Sequence, residues 1–140
     1  MDLDRLINEE YIIDYEVKDP KLRELINYVL RKIPDEERED FPMFSLYQTD
    51  TTDAEYAFII PGDVVQVFFN VDMLEDGSCG NDDVKIGVIA HELAHVYLKH
   101  PHTSSGRKGL KNEEEADSLA SHWGFGKEVK ASRRKLGPPT

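Results

Sequence analysis

Three residues set the chemistry this chain could perform: His91, Glu92 and His95, within the run His91-Glu92-Leu93-Ala94-His95. On a helix, residues four apart differ by about 40° around the axis and about 6 Å along it, so both imidazoles point the same way. Two imidazole nitrogens held like that can bind one divalent ion, and zinc accepts such nitrogens at about 2.0–2.1 Å. Glu92 follows the first histidine and falls beside the open side of the ion. It can take a proton from a metal-bound water and pass it on, which is the work of a general base and acid. By background residue frequencies the pattern arises by accident in about one of every few hundred chains of this length. The preceding segment argues against accident. Val84, Ile86, Val88, Ile89 and Ala90 make the helix apolar and therefore buried. A buried helix with two histidines needs a partner for them, and a metal supplies it.

A catalytic zinc usually has three protein ligands. His100, His102, His122 and several carboxylates are available as the third. His100 lies five residues beyond His95, about 140° around the helix, and is expected to point away. His102 follows Pro101 and falls outside the helix; both read as solvated surface residues. The run Asn112-Glu113-Glu114-Glu115-Ala116-Asp117 is a better source, because Glu113 and Asp117 are four apart and share a face. His122, nine residues from Glu113, lies about 180° from that face unless the helix has ended.

An HExxH followed by Asn112-Glu113 and then Ala116-Asp117 resembles the gluzincin metallopeptidases. The resemblance implies Glu113 as the third metal ligand and Asp117 as the carboxylate that orients a metal-bound histidine. It extends to Ala57-Phe58-Ile59-Ile60-Pro61-Gly62, Leu74, Val88 through Val96, Lys99-His100 and Gly124-Phe125. These positions are similar to the catalytic core of CAAX prenyl proteases and membrane heat-shock peptidases, over roughly residues 54–126. Those families carry membrane helices, whereas no run here approaches the roughly 18 apolar residues of a span. Tyr56 stands where their pattern usually has asparagine. In size the chain is nearer the soluble minigluzincins, and it has a weaker likeness to small peptidases that cut phage-type repressors.

The resemblance implies a zinc-dependent endopeptidase of gluzincin type. One catalytic Zn²⁺ would sit on His91, His95 and Glu113, with Glu92 as general base and acid and a peptide or unfolded protein as substrate. The strand around Tyr56 to Ile59 would form the upper rim of the cleft, where an extended peptide can add as a further strand. A donor must stabilise the oxyanion, and His122, Arg107, His102 and Tyr97 are the candidates. Two other readings fit the same residues: a zinc-stabilised interaction module without turnover, and a dedicated peptidase that cuts one cognate repressor or antitoxin.

The elements that must position these residues are legible in part. The expected fold is α+β, a zincin-like single domain over residues 1–126. A small twisted mixed sheet packs on an active-site helix and on a second, glutamate-bearing helix. Asp19-Pro20 opens a helix whose apolar positions Leu22, Leu25, Ile26, Val29, Leu30 and Ile33 mark one buried face, and Pro34 stops it. Residues 2–16 are ambiguous, with Leu3, Leu6 and Ile7 suiting a short helix, and Asp35 to Asp40 reads as a solvated connection. Phe44–Gln48, Ala54–Ile60 and Val64–Asn70 read as strands, the last two joined by the turn Pro61-Gly62-Asp63. Asn81 caps the active-site helix, which runs to about His100 and ends at Pro101. Residues 102–110, with Ser104, Ser105, Gly106 and Gly109, read as a loop, and a last helix covers about Asn112 to Trp123.

Composition narrows the partners. The net charge of −11 repels nucleic acid and anionic lipid. Residues 127–140 carry five basic groups and one acidic, +4, so the remaining chain carries −15. That basic segment reads as a flexible tail that could close over the acidic cleft, in which case truncation after Gly126 would raise activity. Cys79 is the only cysteine, which excludes an internal disulfide framework and a multi-cysteine zinc site. The start of the sequence lacks a secretory pattern, and a cytoplasmic setting is expected.

Overall fold

The computed structural model describes residues 1–50, 56–74, 80–100 and 106–137. Cys79, Ser104 and Ser105, and the start of the expected strand at Ala54, lie outside the described residues. Helix α1 spans Leu3–Asn8 and strand β1 Ile12–Glu16. Helix α2, Pro20–Lys32, begins where its sequence predicts, with the Asp19 carboxylate accepting from the Leu22 amide at 3.0 Å. Such a cap is worth about 1 kcal/mol. Leu22, Leu25, Ile26, Val29 and Leu30 form its buried face. The acidic connection Asp35–Asp40 is wound into a 3₁₀ turn with no buried residue.

Strands β2 (Phe44–Thr49), β3 (Ala57–Ile60) and β4 (Val65–Asn70) complete a mixed four-stranded sheet in the order β1-β2-β4-β3. β1 and β4 both run parallel to β2. β3 and β4 are antiparallel, pairing Ala57 with Phe69 and Ile60 with Gln66 across the expected turn. Phe44, Leu46, Val67 and Phe69 alternate along their strands and are buried. β1 was not separable from its surroundings in the sequence. It is an edge strand with only Ile12 buried, so it carries no alternation.

Helix α3 spans Asp82–Leu98, with the Asn81 side chain accepting from the Val84 amide at 3.2 Å. Ile89, Ala90, Leu93 and Ala94 on it are wholly buried, which matches its apolar sequence. It stops two residues earlier than the sequence suggests. Lys99 adopts left-handed backbone, φ 57°, and the amides of Lys99 and His100 both bond to the His95 carbonyl. Helix α4, Gly106–Ala120, begins within the segment expected to be loop. A wide turn at Ser121–Phe125 follows, in which Gly124 takes φ 104°.

Residues 126–136 are not a flexible tail. They form helix α5, Gly126–Leu136, with Glu128, Val129 and Ser132 buried. α5 lies against α3 so closely that a Cβ at Gly87 would stand 2.4 Å from the Glu128 carbonyl oxygen. Glycine at position 87 is thus a requirement of the packing. The fold is α+β, one small domain in which a mixed sheet packs against helices.

Candidate metal centre

His91 and His95 leave α3 one turn apart, as their spacing requires, and their rings stand at 88° with centroids 4.5 Å apart. Their Nε2 atoms converge to 3.0 Å. Glu113 on α4 meets both, with Oε2 at 2.7 Å from His91 Nε2 and Oε1 at 3.2 Å from His95 Nε2. Both histidines are 8% exposed and Glu113 is half-buried, so water has little access to the two imidazoles. Two imidazole lone pairs and a carboxylate aimed at one point require a cation or shared protons between them. A tetrahedral ion with bonds of about 2.0–2.1 Å separates its donor atoms by about 3.3 Å. The separations here, 2.7 to 3.2 Å with each imidazole meeting a different Glu113 oxygen, are up to about 0.6 Å shorter than that, so the groups would part slightly to admit an ion, and two imidazoles with a carboxylate are a donor set that suits zinc.

Asp117 stands one turn after Glu113, and its Oδ1 accepts from His91 Nδ1 at 2.7 Å. The i, i+4 pair of carboxylates therefore brackets the imidazole, one at each ring nitrogen. Asp117 is itself gripped by Arg133 of α5, whose Nε and Nη2 donate to Oδ2 and Oδ1 at 2.7 and 2.9 Å. Arg133 Nη2 also lies 3.3 Å from His91 Nδ1. Both nitrogens are donors converging on Asp117 Oδ1, so that approach is not a bond between them.

The electrostatics follow. Burial opposes protonation of His91, but the hydrogen bonds to Asp117 and Glu113 outweigh it and raise the imidazole to about 9. Burial alone would raise Glu113, whereas the bonds from His91 and His95 hold it far below the usual carboxylate range. For Asp117 the bonds from His91 and Arg133 likewise prevail over burial and lower it. A metal at Nε2 would take the place of the proton shared there with Glu113, while Asp117 keeps the one on Nδ1.

His100 is not the solvated residue that helical periodicity suggests. Because α3 ends at Leu98 and Lys99 reverses the chain, His100 turns back against His95, and its side chain is 9% exposed. Its Nδ1 lies 2.9 Å from His95 Nδ1, and its Nε2 lies 3.0 Å from Glu115 Oε2. Burial lowers its pKa, with Glu115 opposing. His100, Glu115 and Arg133 are the contacts that sequence reasoning missed. Extending the helix to Pro101 hid the first two, and no local pattern ties Arg133 to Asp117 sixteen residues away.

Glu92 is half-buried on the same turn of α3. Among the oxyanion donors suggested by the sequence, Tyr97 faces Glu37 and Asp40, which raise its pKa, and His122 is exposed. His102 and the Arg107 side chain lie outside the described residues. A cavity of about 250 Å³ adjoins His95, walled by Pro42, Pro61, Gly62 and Val65 at the sheet and by Val96, Lys99 and His100 at the end of α3.

No curated protein and no solved structure matches the chain. The family model described as Peptidase family M48 matches residues 16–114, a span that contains the sheet from the last residue of β1, all of α3, and Glu113. Asp117 and α5 lie beyond it. With more than half of its length matched and a His91, His95 and Glu113 cluster able to hold a metal, the chain belongs to peptidase family M48.

Proposed function

We propose that this chain is a zinc-dependent endopeptidase of gluzincin type, acting on peptides or unfolded protein. One observation carries the reading: Nε2 of His91, Nε2 of His95 and the carboxylate of Glu113 converge within hydrogen-bond distance of one another. These three residues would hold the ion, which supplies Lewis acidity toward the scissile carbonyl and toward water. Asp117 keeps the His91 proton on Nδ1 and so leaves Nε2 free to ligate. The Glu92 carboxylate takes a proton from the attacking water and delivers it to the departing amine.

Substrate binding is supported by β3, which stands at the sheet edge and precedes the Pro61-Gly62 turn. An extended peptide can pair with that edge through backbone hydrogen bonds, so the reading favours broad sequence tolerance. The cavity beside His95 suits one side chain of such a peptide.

Replacing Glu92 by Gln tests the assignment. The expected result is loss of cleavage of an unfolded protein by at least about a hundredfold, with zinc affinity retained. A wild-type, zinc-loaded protein that cuts no peptide in a broad library would favour a zinc-stabilised interaction module instead.

A further inference from the structure

His91 and His95 are both supported from behind, but differently. His91 has a carboxylate, Asp117, directly on Nδ1. His95 has a second imidazole there, that of His100, and a carboxylate only beyond it. We propose that His100 and Glu115 are positioning residues that hold His95 for metal binding through a hydrogen-bonded chain from His95 Nδ1 to the Glu115 carboxylate. The proposal rests on the metal-centre reading and adds to it the means by which the second imidazole is oriented.

Proton accounting gives the chain a direction. Two imidazole nitrogens 2.9 Å apart need one proton between them. If His95 turns Nε2 toward a metal, that atom must be unprotonated, and the proton of the neutral ring must sit on Nδ1. His95 Nδ1–H then donates to His100 Nδ1. His100, also neutral, must carry its proton on Nε2 and donate it to Glu115 Oε2 at 3.0 Å. The opposite direction would put a proton on His95 Nε2, where the metal belongs. A carboxylate at the far end favours the first direction, because it accepts only, and it makes His95 a stronger electron donor.

The backbone is shaped to make this contact. The left-handed Lys99 places the His100 amide on the His95 carbonyl at 3.1 Å, so residue 95 is gripped by main chain and side chain together. Left-handed backbone disfavours a side-chain-bearing residue such as lysine and favours glycine. The left-handed turn at Lys99, like the one at Glu10, is made by a residue other than glycine, and at Lys99 it carries an imidazole back beneath a ligand candidate.

Three variants of the full chain test the proposal, each checked for fold by circular dichroism and measured by zinc competition against a chromophoric chelator. His100→Leu removes the acceptor and should weaken zinc binding about 10- to 100-fold. In His100→Asn the amide Oδ1 stands where Nδ1 stood, so His95 keeps an acceptor but loses the carboxylate. Glu115→Gln keeps the chain and loses its charge. Both should fall between wild type and His100→Leu, at roughly three- to tenfold weaker than wild type. Affinity within twofold of wild type for His100→Leu, or equal losses for His100→Leu and His100→Asn, would overturn the proposal, since packing alone explains either. If His100→Leu fails to fold, Glu115→Gln decides, and wild-type affinity there counts against the chain. A wild-type protein that binds no zinc would instead remove the metal-centre reading, and this proposal with it.

Discussion

His91 is where the acidity of the site is most exposed to measurement. Its imidazole is raised from an ordinary 6.5 to about 9 in the metal-free protein, because Asp117 and Glu113 stabilise the charged form more than burial disfavours it. A raised folded-state value means that His91 contributes stability in full below about pH 6.5 and loses it as pH rises toward about 9. The melting temperature of the chelated protein should therefore fall across that window. Zinc must displace the same proton, so zinc affinity should rise about tenfold per pH unit over the same range. Calorimetric titration in buffers of different ionisation enthalpy will count the proton released, and a pH-independent affinity from 6.5 to 9 would contradict the assignment. The residue pattern that led here was local, and that is why it was legible. Two histidines four apart on a helix share a face whatever the rest of the chain does. Spacing put Glu113 and Asp117 on one helix face, but their roles came only through resemblance, since their partner lies on another helix. His100 was misread because Lys99, with no glycine to announce it, ends the helix in a left-handed turn.

At the scale of elements, α2, α3 and the β3–β4 hairpin announced themselves through caps, turn residues and periodicity, whereas β1, the start of α4 and α5 did not. β1 buries one residue, and α5 is basic enough to look like a solvated tail. What makes α5 part of the domain is its contact with Gly87, together with the Arg133 grip on Asp117. Two changes test this. Gly87→Ala puts a methyl group 2.4 Å from the Glu128 carbonyl and should destabilise the fold by about 1–3 kcal/mol in urea unfolding. Truncation after Gly126 removes Arg133 and should weaken zinc binding and lower activity, the reverse of what an inhibitory tail predicts. A truncated chain with higher activity would restore the inhibitory reading.

Across the whole molecule, one mixed sheet and three helices build the site, and within it His91 and Arg133 meet across forty-two positions. The sheet contributes an edge strand and a cavity wall, α3 the paired histidines, α4 the carboxylates, and α5 the arginine that steadies one of them. Among the described residues no helix is long and apolar enough to cross a membrane. The account as a whole depends on His91, His95 and Glu113 sharing one ion. Diffraction data collected at the zinc absorption edge, from crystals grown with one equivalent of zinc, measure this most directly. The predicted result is a single anomalous peak about 2.0–2.2 Å from both Nε2 atoms and from a Glu113 oxygen. A zinc peak elsewhere, with Glu113 still hydrogen-bonded to the two imidazoles, would contradict it.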